Sequence, residues 1–187
     1  MIKPSLLALL GALVLFAGPI VSFAQSNANA SQEIRELRAK AERGDAVAQF
    51  NLALMCYNGE GVPKNSTEAV KWYRRAAEQG YARAQVNLAL MFDNGEGVPK
   101  NDTEAVKWYR RAADQGDARA QNNLGTMYGN GEGVPKNYVE AYFWWNLAAA
   151  GGIKKATDNR DIVEKKMTLE QIAEAQRRSA TWKPRKE

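Results

Sequence analysis

The feature that most constrains this chain is a period of 36 residues: Gly44, Gly80, Gly116 and Gly152 stand at that spacing, and what lies between them recurs. Residues 45–80 and 81–116 agree at 29 of 36 positions, and residues 117–152 keep the frame with drift towards the end. The octapeptide Asn-Gly-Glu-Gly-Val-Pro-Lys-Asn occurs unchanged at 58–65, 94–101 and 130–137. A short unit repeated in tandem cannot cover its own apolar face, so the copies must stack and bury one another's.

Each copy divides into two helices around the octapeptide. Helix A of the first unit is expected over about 46–57, rich in good helix formers, and closes where Asn58-Gly59 offer left-handed residues. Val62-Pro63 then forbids helix, because the residue before a proline is pushed extended. Helix B follows from Asn65. Asn65 and Glu68 have the spacing of a capping box, and Asn101/Glu104 and Asn137/Glu140 repeat it. In helix B, Ala69, Trp72, Tyr73, Ala76 and Ala77 form one apolar stripe at i, i+3, i+4, i+7 and i+8, leaving Lys71, Arg74 and Arg75 outside it. In helix A, Ala48, Leu52 and Met55 make the buried seam, with Ala46 and Ala53 small enough for neighbouring backbones to approach. On this reading Trp72 and Trp108 are core, and Trp108→Ala should cost about 3–5 kcal/mol.

The ends read as caps. Residues 31–43 match only the second half of a repeat, and beyond 152 the frame continues with altered chemistry, Arg160 standing where Leu52 stood. A last helix starts at Thr168, with Gln171 at capping-box spacing, and runs to about Ala180 before Pro184. The expected fold is therefore all-α: an α/α solenoid of 36-residue helix-turn-helix repeats with helical caps, spanning 31–180. Its full repeats are 45–80, 81–116 and 117–152, its half-repeat cap 31–44, its C-terminal cap 153–180, and 181–187 is a tail.

Residues 1–24 read as a secretory signal peptide: Lys3 supplies the positive start, 6–16 an uncharged apolar run, and Ser22-Phe23-Ala24 the small-x-small cleavage site. Cleavage after Ala24 leaves about 163 residues, of which 25–30 form a polar linker. An uncut anchor is the competing reading, and Gly18-Pro19 interrupts it. The expectation is an exported protein, periplasmic or secreted, without a membrane span after cleavage.

Composition removes most enzyme chemistry. The 187 residues include no His and one Cys, which excludes an imidazole base or zinc ligand, an internal disulfide and a multi-thiolate site. The formal charge of +5, about +4 without Lys3, is mild for a protein that must grip a polyanion, and export removes the usual nucleic-acid partner. No catalytic residue, metal or cofactor is expected.

These residues resemble the Sel-one-like repeat family, a relative of the tetratricopeptide repeat. The resemblance rests on Ala-x-Ala-Gln-x-Asn-Leu from Ala46 to Leu52, on Gly-Glu-Gly-Val-Pro-Lys-Asn in the loop, and on Glu-Ala-Val-Lys-Trp-Tyr-Arg-Arg-Ala-Ala-Glu-Gln-Gly from Glu68 to Gly80. It implies a bacterial protein whose repeats bind other proteins or envelope components, with the first helices lining an inner, concave wall. A cysteine-rich branch of that family, associated with penicillin binding or β-lactam hydrolysis, carries disulfides within its repeats; this chain lacks those cysteines.

Candidate chemistry is sparse. Gly59-Glu60-Gly61 lacks the third glycine and the preceding strand of a nucleotide-binding loop and reads as a turn. Cys56 holds the position of Phe92 and Tyr128 in the later copies and has no base beside it, so it packs. Glu60, Glu96 and Glu132 recur once per unit, the mark of loop structure. The informative positions are those where copies differ: Val47/Arg83/Arg119, Phe50/Val86/Asn122, Leu54/Leu90/Thr126 and Tyr57/Asp93/Gly129, spaced i, i+3, i+7 and i+10 on one face of helix A. That face is the candidate surface for a peptide or protein partner. The alternative is the helix-B stripe of Lys71, Arg74, Arg75, Lys107, Arg110 and Arg111, which would dock peptidoglycan or anionic lipid.

Overall fold

The structure, a computed structural model, describes residues 31–185. The expected leader and linker, 1–30, and the last two residues lie outside them. Nine helices run through the described residues without a strand: α1 (31–42), α2 (Ala46–Asn58), α3 (Ser66–Glu78), α4 (Ala82–Asn94), α5 (Asp102–Asp114), α6 (Ala118–Asn130), α7 (Tyr138–Ala150), α8 (Lys154–Glu164) and α9 (Leu169–Thr181). From α2 to α8 each helix packs on the next in order, the pattern of a solenoid, and α9 folds back on α7.

The helix ends obey local chemistry. Gly59, Gly95 and Gly131 take left-handed conformations and close α2, α4 and α6 by donating to the carbonyls of Met55, Met91 and Met127. Thr168 and Gln171 form the expected reciprocal capping box at α9. At the B helices only half of that motif exists. Asn65, Asn101 and Asn137 accept from the backbone of Glu68, Glu104 and Glu140. Their own N–H groups instead donate to the carbonyls of Cys56, Phe92 and Tyr128, at 2.7, 2.9 and 2.9 Å. Helix A thus supplies the acceptor that the glutamate was expected to supply, and the hairpin is tied at its open end. The freed glutamates pair with Lys71 (3.4 Å), Lys107 (2.5 Å) and Arg178 (2.6 Å).

The second loop glycine has a tertiary reason. Gly97 sits at φ +70, and a Cβ there would collide with the Ser66 carbonyl at the start of the preceding helix B. Gly133 lies against Asp102 in the same way, so the loop of each unit is pressed on the hairpin before it.

The stripe residues Ala69, Trp72, Tyr73, Ala76 and Ala77 are buried, as are Ala48, Leu52, Ala53 and Cys56. Met55 and Ala46 are half-buried, at the edge of that seam. Trp108 departs from expectation. It is half-buried against the core with the Arg111 guanidinium 5.0 Å from its ring, while its neighbour Tyr109 is fully enclosed. Tyrosine, not tryptophan, is the deep aromatic of the central unit, so the loss assigned to Trp108→Ala belongs to Tyr109→Ala.

A feature absent from the sequence reading joins the units. Gln49, Gln85 and Gln121 are buried, and their amide groups donate to Ala41, Ala77 and Ala113 carbonyls at 3.0, 3.1 and 3.2 Å, each at the end of the preceding helix. Gln79 and Gln115 then donate to the oxygens of Gln49 and Gln85 at 2.7 and 2.9 Å, and Gln115 also reaches the Gly80 carbonyl. In the third unit Gly151 takes the place of these donors.

Candidate partner-binding face

Because A helices bury one flank on their own B helix and another on the neighbouring unit, the residues left open keep a single register. In α2 these are Val47, Asn51, Leu54 and Asn58; α4 presents Arg83, Asn87, Leu90 and Asn94; α6 presents Arg119, Asn123, Thr126 and Asn130. Val47 is 52% exposed and Leu90 37%.

Half of the inter-unit variation lies elsewhere. Phe50 and Val86 are 3% and 1% exposed, and Asn122 is buried with them, so these three are not available to a partner. Phe50 turns into the joint between units, 5.8 Å from the Tyr73 ring and 5.2 Å from Tyr81 edge-on, and is covered by the Arg83 guanidinium at 4.8 Å. Spacing i, i+3, i+7 marks an arc of a helix, and one border of that arc is already filled by the next unit. Gly129 varies for a packing reason as well: a Cβ there would lie 2.8 Å from Trp145 Cη2.

Three of the remaining variable positions converge, while Val47, Arg83, Arg119 and Thr126 lie outside their cavity. Leu54, Tyr57 and Leu90 line a cavity of about 280 Å³ between the first and second units, floored by Tyr73 and Met91 and flanked by Asn87. Asn58, Asn94 and Glu96 complete its rim. Tyr57 donates its hydroxyl to Glu96 Oε2 at 2.7 Å across the unit boundary, and that hydrogen bond raises the Tyr57 pKa. Tyr73 is pushed up to about 12, chiefly by burial, with its hydroxyl bonded to Asn87. The lining is an apolar patch with amide and carboxylate groups at its edge, the composition of a socket for a hydrophobic side chain with its backbone held at the rim. Asp93 is half-buried, 3.5 Å from the Tyr109 hydroxyl.

The asparagines were missed because they do not vary, and invariant positions were assigned to the scaffold. One signal was present: asparagine is a poor residue inside a helix, yet it recurs at 51, 87 and 123 in an otherwise favourable sequence. Asn58, Asn94 and Asn130 also explain the glutamate ladder, since they donate to Glu60, Glu96 and Glu132 two residues on at 2.9, 3.2 and 3.3 Å.

The helix-B stripe is engaged within the fold. Arg74 lies over the Phe92 ring at 5.6 Å, Arg75 over Trp72 at 4.6 Å, and Arg110 over Tyr128 and Trp144 at 5.4 and 5.5 Å. Lys71 and Lys107 carry the glutamate pairs described above, and Arg111 covers Trp108. Cys56 is buried, which raises its thiol pKa. Among the described residues no group of His, Cys, Asp or Glu is placed to hold a metal ion, and no helix is long and apolar enough to cross a membrane.

Known proteins share this architecture. The Sel1 repeat model matches residues 46–81, 82–117 and 118–153. No curated protein matches the chain. A Sel1 repeat protein from Oxalobacter formigenes is 42% identical, with a TM-score of 0.65 over 70% of this chain and 98% of its own. The protein c5321, a protective antigen present in uropathogenic Escherichia coli strains, is 38% identical at a TM-score of 0.73, over 81% of this chain and 32% of the antigen. Cysteine rich protein B of Helicobacter pylori, 20% identical at a TM-score of 0.55 over 71% and 95% of the two chains, shares the fold. Three consecutive matches covering more than half of the sequence, on hairpins that stack as the repeat demands, mean that the chain belongs to the Sel1 repeat family.

Proposed function

We propose that the chain is an exported, non-catalytic binding module that takes a partner's peptide across the open face of α2, α4 and α6. Sel1-type solenoids are in general protein-interaction modules. The observation that carries the finer reading is the cavity between the first two units, where Leu54, Tyr57 and Leu90 meet. Its volume suits one aliphatic or aromatic side chain, and Asn58, Asn87 and Asn94, each with amide capacity beyond its bond to Glu60, Tyr73 or Glu96, would pair with the peptide backbone. Arg83 and Arg119 further along the face suit acidic residues in the same peptide. The stripe on the B helices is less suited to docking an envelope polymer, because Lys71 and Lys107 are already paired with glutamates of the same helices.

Selection of a random peptide library on the immobilised protein tests this. Enriched peptides are expected to share a large apolar residue and to lose binding by about tenfold or more against Leu54→Glu and Leu90→Glu, with the helical circular dichroism kept. Selected peptides that bind both variants as well as the parent would overturn the assignment of the face. Export has its own test: the mature protein recovered from the envelope fraction should begin at Gln25.

A further inference from the structure

Between the third unit and the C-terminal cap, on the side of the B helices, α5, α7 and α9 enclose an open cleft of about 510 Å³. Four cations line it, Arg110, Lys136, Arg178 and Arg185, against two carboxylates, Asp114 and Glu140. Arg178 is paired with Glu140 at 2.6 Å. Arg110 has no carboxylate partner among the described residues; it donates to the Tyr128 hydroxyl and lies against the rings of Tyr128 and Trp144. The walls between these charges are aromatic, formed by Phe143, Trp144 and Trp182. Trp144 is buried, yet its indole N–H has no acceptor. A guanidinium resting on ring faces without an ion-pair partner is matched by a ligand that brings oxygen.

The cleft is specific to this end of the molecule. One unit earlier Lys107 stands where Phe143 stands here, and Arg178 comes from the cap and Arg185 from the tail. Its volume lies within the range of ligand sites, but its wide mouth leaves a small acid mostly in water. A continuous layer of lipid headgroups does not enter a cleft. A single strand crossing it seats side chains while its backbone stays hydrated.

We propose that this cleft binds an acidic peptide segment of a partner protein, a carboxylate meeting Arg110 and Arg185 and an adjacent apolar side chain lying on Trp182. It is separate from the face of the A helices. The probe is a fluorescein-labelled peptide Gly-Asp-Glu-Phe-Asp-Glu-Gly, read by anisotropy with the whole protein at about 50 mM salt, where charge pairing is least screened. The control is its amide counterpart Gly-Asn-Gln-Phe-Asn-Gln-Gly. All measurements carry Leu54→Glu and Leu90→Glu, which disable the A-helix face for this probe; in that background the acidic peptide should bind and the amide should not, Arg110→Gln should weaken binding about tenfold or more and Arg185→Gln by severalfold. If Arg110→Gln loosens the fold, seen as an earlier melt, the exposed Arg185 decides. Equal binding of both peptides, or indifference to both arginine variants, overturns the proposal. So does capture by phosphatidylglycerol vesicles without peptide binding.

Discussion

In the central unit the deep position of helix B holds Tyr109, with Ala89 and Asp93 on helix A; in the third unit the equivalent residues are Trp145, Gly125 and Gly129. A Cβ at Gly125 would lie 2.7 Å from Trp145 Cδ1, so the glycines make the room that the larger ring fills. The polar ends change together as well. Tyr109 is bonded to Asn123 and faces Asp93, whereas the Trp145 indole donates to the Asn122 carbonyl at 3.2 Å. Two neighbouring copies of one hairpin thus reach the same enclosed packing with different volumes. What looks like drift in the third unit is a concerted exchange, and variation between copies reports packing as readily as recognition.

The sharpest way to break this comparison is Tyr109→Ala. Emptying a fully enclosed aromatic site between two stacked neighbours should cost about 3–5 kcal/mol, against less than half that for half-buried Trp108→Ala, both read from urea midpoints. Next comes Gly125→Ala, which should cost about 1–3 kcal/mol by overfilling, and which Trp145→Tyr should rescue by restoring the pair found in the central unit. A double-mutant cycle showing no coupling would sink the exchange argument. Gln115→Ala should cost about 1 kcal/mol through the bonds to Gln85 and Gly80, a loss that the third unit, with Gly151, has already taken.

The smallest effect concerns Asp93, which the third unit dispenses with. Burial raises its pKa above the ordinary 3.8, with Asp102 and Glu132 adding and Lys100 and the Tyr109 hydroxyl opposing. The folded state therefore holds a proton that the unfolded chain has released, and stability falls as pH rises from 3.8 through the raised native value, then stays level. Asp93→Asn should raise the melting temperature at pH 7 by the equivalent of less than about 1 kcal/mol, and the gain should vanish below that window.

Much of the fold was written in short-range signals. Gly59, Pro63 and Asn65 punctuate each hairpin, and the Thr168/Gln171 pair at α9 is where it was expected. The failures share a cause, which is distance along the chain. The N–H of Asn65 goes to Cys56 in another helix, Phe50 to a ring in the next unit, and Gly129 answers to a tryptophan 16 residues away. Of the candidate face, Leu54, Tyr57 and Leu90 were legible as variable positions, while the asparagines beside them were hidden by their constancy.

The buried glutamines give the molecule a direction. Each clasp is carried by the later unit and closes on a carbonyl of the earlier one, from Gln49 on Ala41 to Gln121 on Ala113. In a chain emerging N-terminus first, every new hairpin carries the glutamine that fastens it to the one before. Of these glutamine bonds, trimming from the far end leaves a carbonyl for water to satisfy, whereas trimming from the front leaves an amide without its acceptor.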